Sequence, residues 1–246
     1  MASNLSYGPK AVMENLILCL DANNAKSYAG AGTIWHDLSG RANNATLTNG
    51  PLITSSDSTT GGSYFDFDGT NDYATISSPS FAANGFIGGM TCEAWLKFDT
   101  ASLSGSDTGF ITRYQASVQS QFLFGYREAG GQNGLTFYMI ADDNSVPGAP
   151  FDTDWTPATD VWYHVVGVYR PSGNISIYVN GVRVFSTTGV SISQLNDDST
   201  LAVMIGNYVS GTYFNGKMAI LKMYSKSLSV AEIKQNFNAH RARFKL

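Results

Sequence analysis

Ile175, Ile177 and Val179 alternate with Ser176 and Tyr178 up to Asn180-Gly181, and Val182 and Val184 take up the same alternation directly beyond it. Asn and Gly both tolerate positive φ, so this dipeptide between two period-two runs specifies a tight β-hairpin. The same rhythm governs the rest of the chain. Short alternating runs are broken roughly every ten to fifteen residues by Gly, Asn, Asp, Ser or Pro, the pattern of an all-β sandwich or barrel.

The individual runs say which faces are apolar. Leu16-Ile17-Leu18-Cys19-Leu20 is continuous, too short for a helix and stopped by Asp21-Ala22-Asn23-Asn24, which predicts a strand buried on both faces. In Tyr64-Phe65-Asp66-Phe67-Asp68-Gly69 the phenylalanines point one way and the aspartates the other, a half-buried strand entering a turn. Met90, Cys92, Ala94, Leu96 and Phe98 alternate with Thr91, Glu93, Trp95 and Lys97, which assigns one face to the core and leaves the other partly wet. Residues 122–126 and 135–140 flank the Gly-rich segment 129–134 as a second hairpin. Residues 162–169 and 174–179 join through Pro171-Ser172-Gly173, and 201–206 and 217–224 complete the strands. Helix is confined to one place: Ser229 is followed three residues on by Glu232, the reciprocal pairing of a capping box, in a helix expected to end near Phe237.

A chain of 246 residues fits one sandwich domain, here residues 16–237, flanked by an N-terminal arm over 1–15 and a C-terminal tail over 238–246. Longer loops are expected at 55–62 and 142–160. With 43% hydrophobic and only 14% charged residues, the chain has ample material for a core, which excludes disorder. The net charge is -4 and the basic residues are scattered, except for His240-Arg241-Ala242-Arg243-Phe244-Lys245. A nucleic-acid binder needs a basic stripe to displace counterions from phosphates, so nucleic acid is not an expected partner. No run approaches the ~18 apolar residues of a membrane span. Met1-Ala2-Ser3-Asn4-Leu5 does not lead a charged segment into an apolar one, so no secretory signal is read and a soluble product is expected. For the same reason the Asn-x-Ser/Thr triplets at Asn4, Asn44 and Asn174 are read as chance acceptors. Cys19 and Cys92 lie in apolar runs; free buried thiols and a disulfide both fit, and neither spacing suggests zinc.

A set of short motifs occurs in a telling order: Trp35-His36-Asp37-Leu38-Ser39-Gly40, Asn43-Asn44-Ala45-Thr46-Leu47, Phe67-Asp68-Gly69-Thr70-Asn71-Asp72-Tyr73, Thr91-Cys92-Glu93-Ala94-Trp95, Trp162-Tyr163-His164-Val165, Ile177-Tyr178-Val179-Asn180-Gly181, Phe214-Asn215-Gly216-Lys217 and Leu228-Ser229-Val230-Ala231-Glu232-Ile233. In that order they resemble laminin-G-like, concanavalin-A-like jelly rolls. The resemblance implies a two-sheet antiparallel β-sandwich with one short C-terminal helix. The opening Leu18-Cys19-Leu20-Asp21-Ala22 and the ending Gln235-Asn236-Phe237-Asn238-Ala239 through Arg243-Phe244 look like the versions carried by structural proteins of tailed bacteriophages. This narrower resemblance implies a virion component made in the host cytoplasm, with other virion proteins as partners and a homo-oligomeric arrangement in the particle.

Catalysis is not expected. Glucanases on this sandwich resemble one another in carrying Glu-x-Asp-x-x-Glu along one strand, and retaining glycosidases need two carboxyls ~5–5.5 Å apart. Here Glu14, Glu93, Glu128 and Glu232 are far apart, and the position two beyond Glu93 is Trp95. His164 alternates with strand residues, as a core or sheet-surface histidine does. His36 lies in a loop and His240 in the basic tail. Calcium is the expected cofactor if any is bound, because Asp37, Asn43, Asp68 and Asp72 bring hard oxygens to two loop motifs, with Asp66 as a sheet-face alternative. The competing reading is that these residues form Asx turns and loop caps without metal. Host-surface carbohydrate is the expected small partner: Tyr114, Gln115, Tyr126, Trp155, Asn207, Tyr208 and Tyr213 are loop or strand-edge candidates for stacking on sugar and orienting its hydroxyls, each with a packing role as the alternative. The function expected is a non-catalytic capsid- or tail-associated module that contacts glycan. The alternative is a carbohydrate-binding module with the sugar site as its main purpose. Trp35, Trp95 and Trp162 are assigned to core or sheet covering, and the terminal arms to anchorage on neighbours, so that deleting 240–246 would leave the fold intact.

Overall fold

The computed structural model describes residues 10–77, 79–81, 86, 88–99, 107–114, 121–128, 134–141, 153, 155–171, 173–188, 190, 192, 201–208 and 211–246. Residues 1–9, the hairpin loop at 129–133, Ser172, and 142–152 and 154 of the expected long loop lie outside them. Along the chain come β1 (Leu16–Asp21), β2 (Ile34–Trp35), β3 (Ala45–Thr48), β4 (Leu52–Thr54), β5 (Tyr64–Asp68), β6 (Tyr73–Ile76), β7 (Met90–Phe98) and β8 (Thr108–Arg113). They are followed by β9 (Phe122–Arg127), β10 (Gly134–Met139), β11 (Trp162–Arg170), β12 (Asn174–Val179), β13 (Val182–Ser186), β14 (Val203–Ile205), β15 (Asn215–Tyr224), the helix α1 (Val230–His240) and a 3₁₀ turn (Arg241–Phe244).

These strands make two antiparallel sheets. The first runs β13-β12-β11-β7-β15-β5-β4, with β1 alongside the second half of β15 and β5 alongside its first half. The second runs β10-β9-β8-β14-β6-β3-β2. The Asn-Gly hairpin is present as read: Val179 pairs with Val182, and Asn180 and Gly181 both take positive φ, 51° and 77°. No helix among the described residues is long and apolar enough to cross a membrane.

The interior lies between the sheets. Phe98 of β7 meets Phe110 of β8 and Tyr126 of β9 edge-on, with ring centroids 5.8 and 5.6 Å apart, and Phe110 meets Phe124 at 5.4 Å. Burying each such side chain contributes about 1.5–3 kcal/mol. Phe137 of β10 packs against Gly167 of β11, where a Cβ would sit 2.6 Å from the Phe137 Cγ. Glycine there lets the two sheets close.

The other face of β7 departs from expectation. Thr91, Glu93, Trp95 and Lys97 were expected to be partly wet, yet all nine residues of β7 are buried. The reason is a layer across the outer face of the first sheet: α1 and the 3₁₀ turn cover Glu93 and Trp95, Thr91 is bonded to Lys226 and Leu228, and Lys97 meets Asp57 and Thr59. Trp95 is stacked by Phe237 (5.8 Å, 6°), Phe244 (4.2 Å, 12°) and His164 (4.9 Å, 28°). A second apolar patch joins Val166, Val168, Tyr178, Tyr224, Leu228 and Ile233.

Both expected arms are corrected where they are described. Val12 donates its N–H to Asn236 Oδ1 at 2.7 Å, and Tyr224 donates its hydroxyl to the Val12 carbonyl at 3.1 Å. At the other end the helix runs on to His240, because Arg241 keeps helical dihedrals and leads straight into the 3₁₀ turn. Phe244 is 2% exposed, and Arg243 bonds Asp21 at 2.7 Å while its carbonyl accepts the Gly61 N–H at 2.7 Å. Neither segment is free of the sandwich, since the apolar outer face of the sheet needs cover. Cys92 belongs to the inter-sheet core and Cys19 packs with the patch on the opposite side of the same sheet, and both are free thiols.

Candidate functional site

Tyr114 follows β8, and Tyr208 lies three residues beyond β14, the neighbour of β8 in the second sheet. That pairing brings the two tyrosines together, ring centroids 4.8 Å apart and 31° between planes, both half-exposed. Tyr138 of β10 joins them. In β10 Tyr138 alternates with Leu135, Phe137 and Met139, yet it too is buried, 5% exposed and packed into the same core cluster. Tyr208 is hydrogen-bonded to both Tyr114 and Tyr138, and all three phenols are pushed up to about 12, burial being the main cause. The hydroxyls stay protonated at neutral pH, available as donors and acceptors. The charge of Arg127 acts on all three tyrosines. Its Nε is held by Asp107 at 3.0 Å, and Asp107 also accepts the Glu128 N–H at 3.2 Å.

The structure separates the remaining predicted sugar contacts. Tyr126 is corrected to a core residue: it is fully buried against Phe98, because Phe122, Phe124 and Tyr126 share the inward side of β9. Trp155 plugs the margin of the core, edge-on to Tyr163 at 5.0 Å. Asn207 is buried, its carbonyl accepting the Thr112 hydroxyl at 3.0 Å, and it forms a β-bridge with Tyr213. Tyr213 stacks on Tyr73 of β6 at 6.2 Å and 29°, a second tyrosine pair in the second sheet. Gln115 lies outside the described residues. The reading of residues missed Tyr138, Tyr73, Arg127 and Asp107; the strand alternation in residues 135–140 carried the signal for Tyr138.

The four expected calcium ligands fall into two groups. Asp37 receives the N–H groups of Cys19 (2.8 Å), Ser39 (2.9 Å) and Asn43 (3.0 Å) and the Ser39 hydroxyl (2.6 Å). Asn43 spans Ile17 and Ser80, donating to the one at 2.7 Å and accepting from the other at 2.7 Å. Asp68 accepts the Thr70 N–H at 2.8 Å in an Asx turn, and buried Asp72 accepts the Asp68 N–H at 3.2 Å. Asn43 contacts the chain beyond the end of β6 and Asp72 immediately precedes its start, so the groups lie at opposite ends of that strand. Among the described residues no three His, Cys, Asp or Glu side chains converge as a metal site. Asp66 binds Lys217 at 3.4 Å, which is also clasped by Asp99 at 2.6 Å.

Glu93 is 2% exposed under α1, where no substrate reaches it. Glu14 and Glu232 converge on the Lys226 ammonium at 2.7 and 2.6 Å.

Two antiparallel sheets closed on an aromatic core define a concanavalin A-like, lectin-type β-sandwich. The chain belongs to the concanavalin A-like lectin/glucanases superfamily, whose family model matches residues 68–234. No curated protein matches the sequence. Among solved structures it is similar to the binding domain of Paraclostridial Mosquitocidal Protein 1, with 14% identity and a TM-score of 0.65 over 93% of this chain and 53% of that one. It is also similar to the botulinum neurotoxin serotype D ligand binding domain in complex with N-acetylneuraminic acid, at 16% identity and a TM-score of 0.65 over 92% and 51%. A third is domain 4 of AbnA, a GH43 extracellular arabinanase from Geobacillus stearothermophilus in complex with arabinotriose, at 16% identity and a TM-score of 0.62 over 90% and 98%. The chain spans about half the length of the toxin domains. At these identities the likeness is one of fold.

Proposed function

We propose that this chain is a non-catalytic glycan-recognition module of a virion surface structure, with Tyr114 and Tyr208 as its sugar contacts and the buried Tyr138 bonded behind them. The observation that carries the glycan reading is the half-exposed Tyr114–Tyr208 pair, whose linked hydroxyls lie beside Arg127 and Asp107. Aromatic faces stack on the C–H side of a sugar ring, while phenol, guanidinium and carboxylate groups orient its hydroxyls. Complexes of fold relatives with N-acetylneuraminic acid and arabinotriose support a saccharide ligand. Burial of Glu93 under the helix supports a binding role over hydrolysis. The virion setting is supported by the sequence resemblance of the first strand and the C-terminal segment to tailed-phage structural proteins, and implies several copies alongside other particle proteins.

A glycan array probed with the full chain tests the sugar site: saturable binding that is lost in Tyr208→Ala is expected, and a blank array overturns it. Antibody labelling of intact particles under the electron microscope tests the setting, which is overturned if the label stays in the soluble fraction.

A further inference from the structure

Beneath α1 lies an enclosed set of ionisable groups drawn from four strands and the helix. Glu93 of β7 meets Asn236 Nδ2 of α1 at 2.6 Å, Lys222 Nζ of β15 at 3.6 Å and His164 Nε2 of β11 at 3.7 Å. Lys222 Nζ also lies 3.2 Å from His240 Nε2 in the last turn of α1, so the imidazole facing the ammonium is a neutral acceptor. Cys19 of β1, paired with Lys222 in the ladder, and the Tyr224 hydroxyl, bonded to Asn236, complete the strand side. Arg243 of the 3₁₀ turn adds a further positive charge near His240. Over them Trp95 is roofed by Phe237 and Phe244, and Trp162 packs on Phe244 at 4.8 Å.

Glu93 and Lys222 are the close pair of opposite charges in this set, with His164 on another side of the Glu93 carboxylate. A proton on His240 places a second cation against the ammonium, and a proton on Glu93 leaves Lys222 buried without its counter-charge. Each raises the free energy of the covered state, because an unpaired buried charge has lost its hydration. We propose that α1 and the 3₁₀ turn form an acid-released clasp: protonation of His240, then of Glu93, beside Lys222 drives the segment off the first sheet and bares Trp95 and Trp162.

The direction follows from the groups' protonation. Burial, with Lys222 beside it, holds His240 down from 6.5 to about 3 in the covered state. Glu93 is held from 4.5 to about 2, since Lys222, His164 and Asn236 outweigh the upward push of burial. Both shifts are downward, so the clasp is fully held above the ordinary imidazole value and weakens as pH falls toward the covered-state values. With one proton taken up on release, the covered-to-released ratio drops about tenfold per pH unit. The sandwich itself survives, because its inter-sheet core is a separate cluster from those under the helix.

Hydrogen exchange on the full chain, stepped from about pH 7.5 to about pH 4.5 and corrected for intrinsic rates, tests this. Amides of α1 are expected to lose protection about tenfold per pH unit below about pH 6.5 while β7 and β8 keep theirs. His240→Gln, which keeps an acceptor for Lys222 but cannot take the proton, is expected to move the opening to lower pH. Opening of α1 only together with β7, protection maintained throughout, or an unchanged opening pH in His240→Gln overturns the proposal.

Discussion

The Trp95 indole and the Phe244 ring lie nearly parallel, 12° between planes and 4.2 Å between centroids. A residue of β7 is thus covered by a side chain only two residues before Leu246. Phe244→Ala removes this stack and the buried ring, so unfolding in urea should show a loss of about 3 kcal/mol. Deleting 240–246 should likewise lower stability, against the expectation that the tail is dispensable to the fold. An unchanged midpoint would mean the outer layer closes without it.

Tyr114→Ala and Tyr208→Ala should each weaken glycan binding at least about tenfold, equivalent to about 1.4 kcal/mol, with a small effect on stability. Tyr126→Ala should do the opposite, costing about 3 kcal/mol of folding free energy through the core. Paired titrations and thermal melts separate the two; equal effects of all three on binding and stability would remove the assignment of a surface site.

Gly181→Val places a β-branched residue at a φ of 77°. The Cβ–carbonyl conflict of left-handed backbone costs about 1–2 kcal/mol, so the denaturation midpoint should fall while the circular-dichroism spectrum of the folded state stays unchanged.

Asp37→Ala deletes an acceptor of four hydrogen bonds, one that ties the loop before β3 to Cys19 of β1 and three that hold the loop's own shape. Bonds to a charged acceptor contribute about 1.5–3 kcal/mol each, and with solvent access to the loop a total loss of at least about 2 kcal/mol is expected. Because those donors already occupy its oxygens, a chelator should leave the wild-type melting temperature in place. A rise of several degrees on adding calcium would instead restore the metal reading of this loop.

Much of the sheet architecture was legible because alternation is a local property. Asn180-Gly181, the inward series of β7 and the capping box at Ser229 needed only near neighbours. The cover on the first sheet was missed, although Ile233, Asn236, Phe237 and His240 recur at helical spacing and mark a buried stripe on α1. Reading 240–246 as a basic tail hid Phe244 among charges. Tyr126 was readable as inward from Phe122 and Phe124 on the same strand. The Tyr114–Tyr208 pair was legible only as two candidates, since their meeting depends on β8 lying beside β14, a long-range pairing that no local pattern encodes.

The stitching of Val12 to Asn236 has a geometric corollary. Val12 and Phe244 are both held at the face of the first sheet that α1 covers, whereas Tyr114 and Tyr208 belong to the β8–β14 part of the second sheet. A partner gripping the α1 layer therefore works like the shank of a rivet, holding the molecule by its first sheet and leaving the second uncovered.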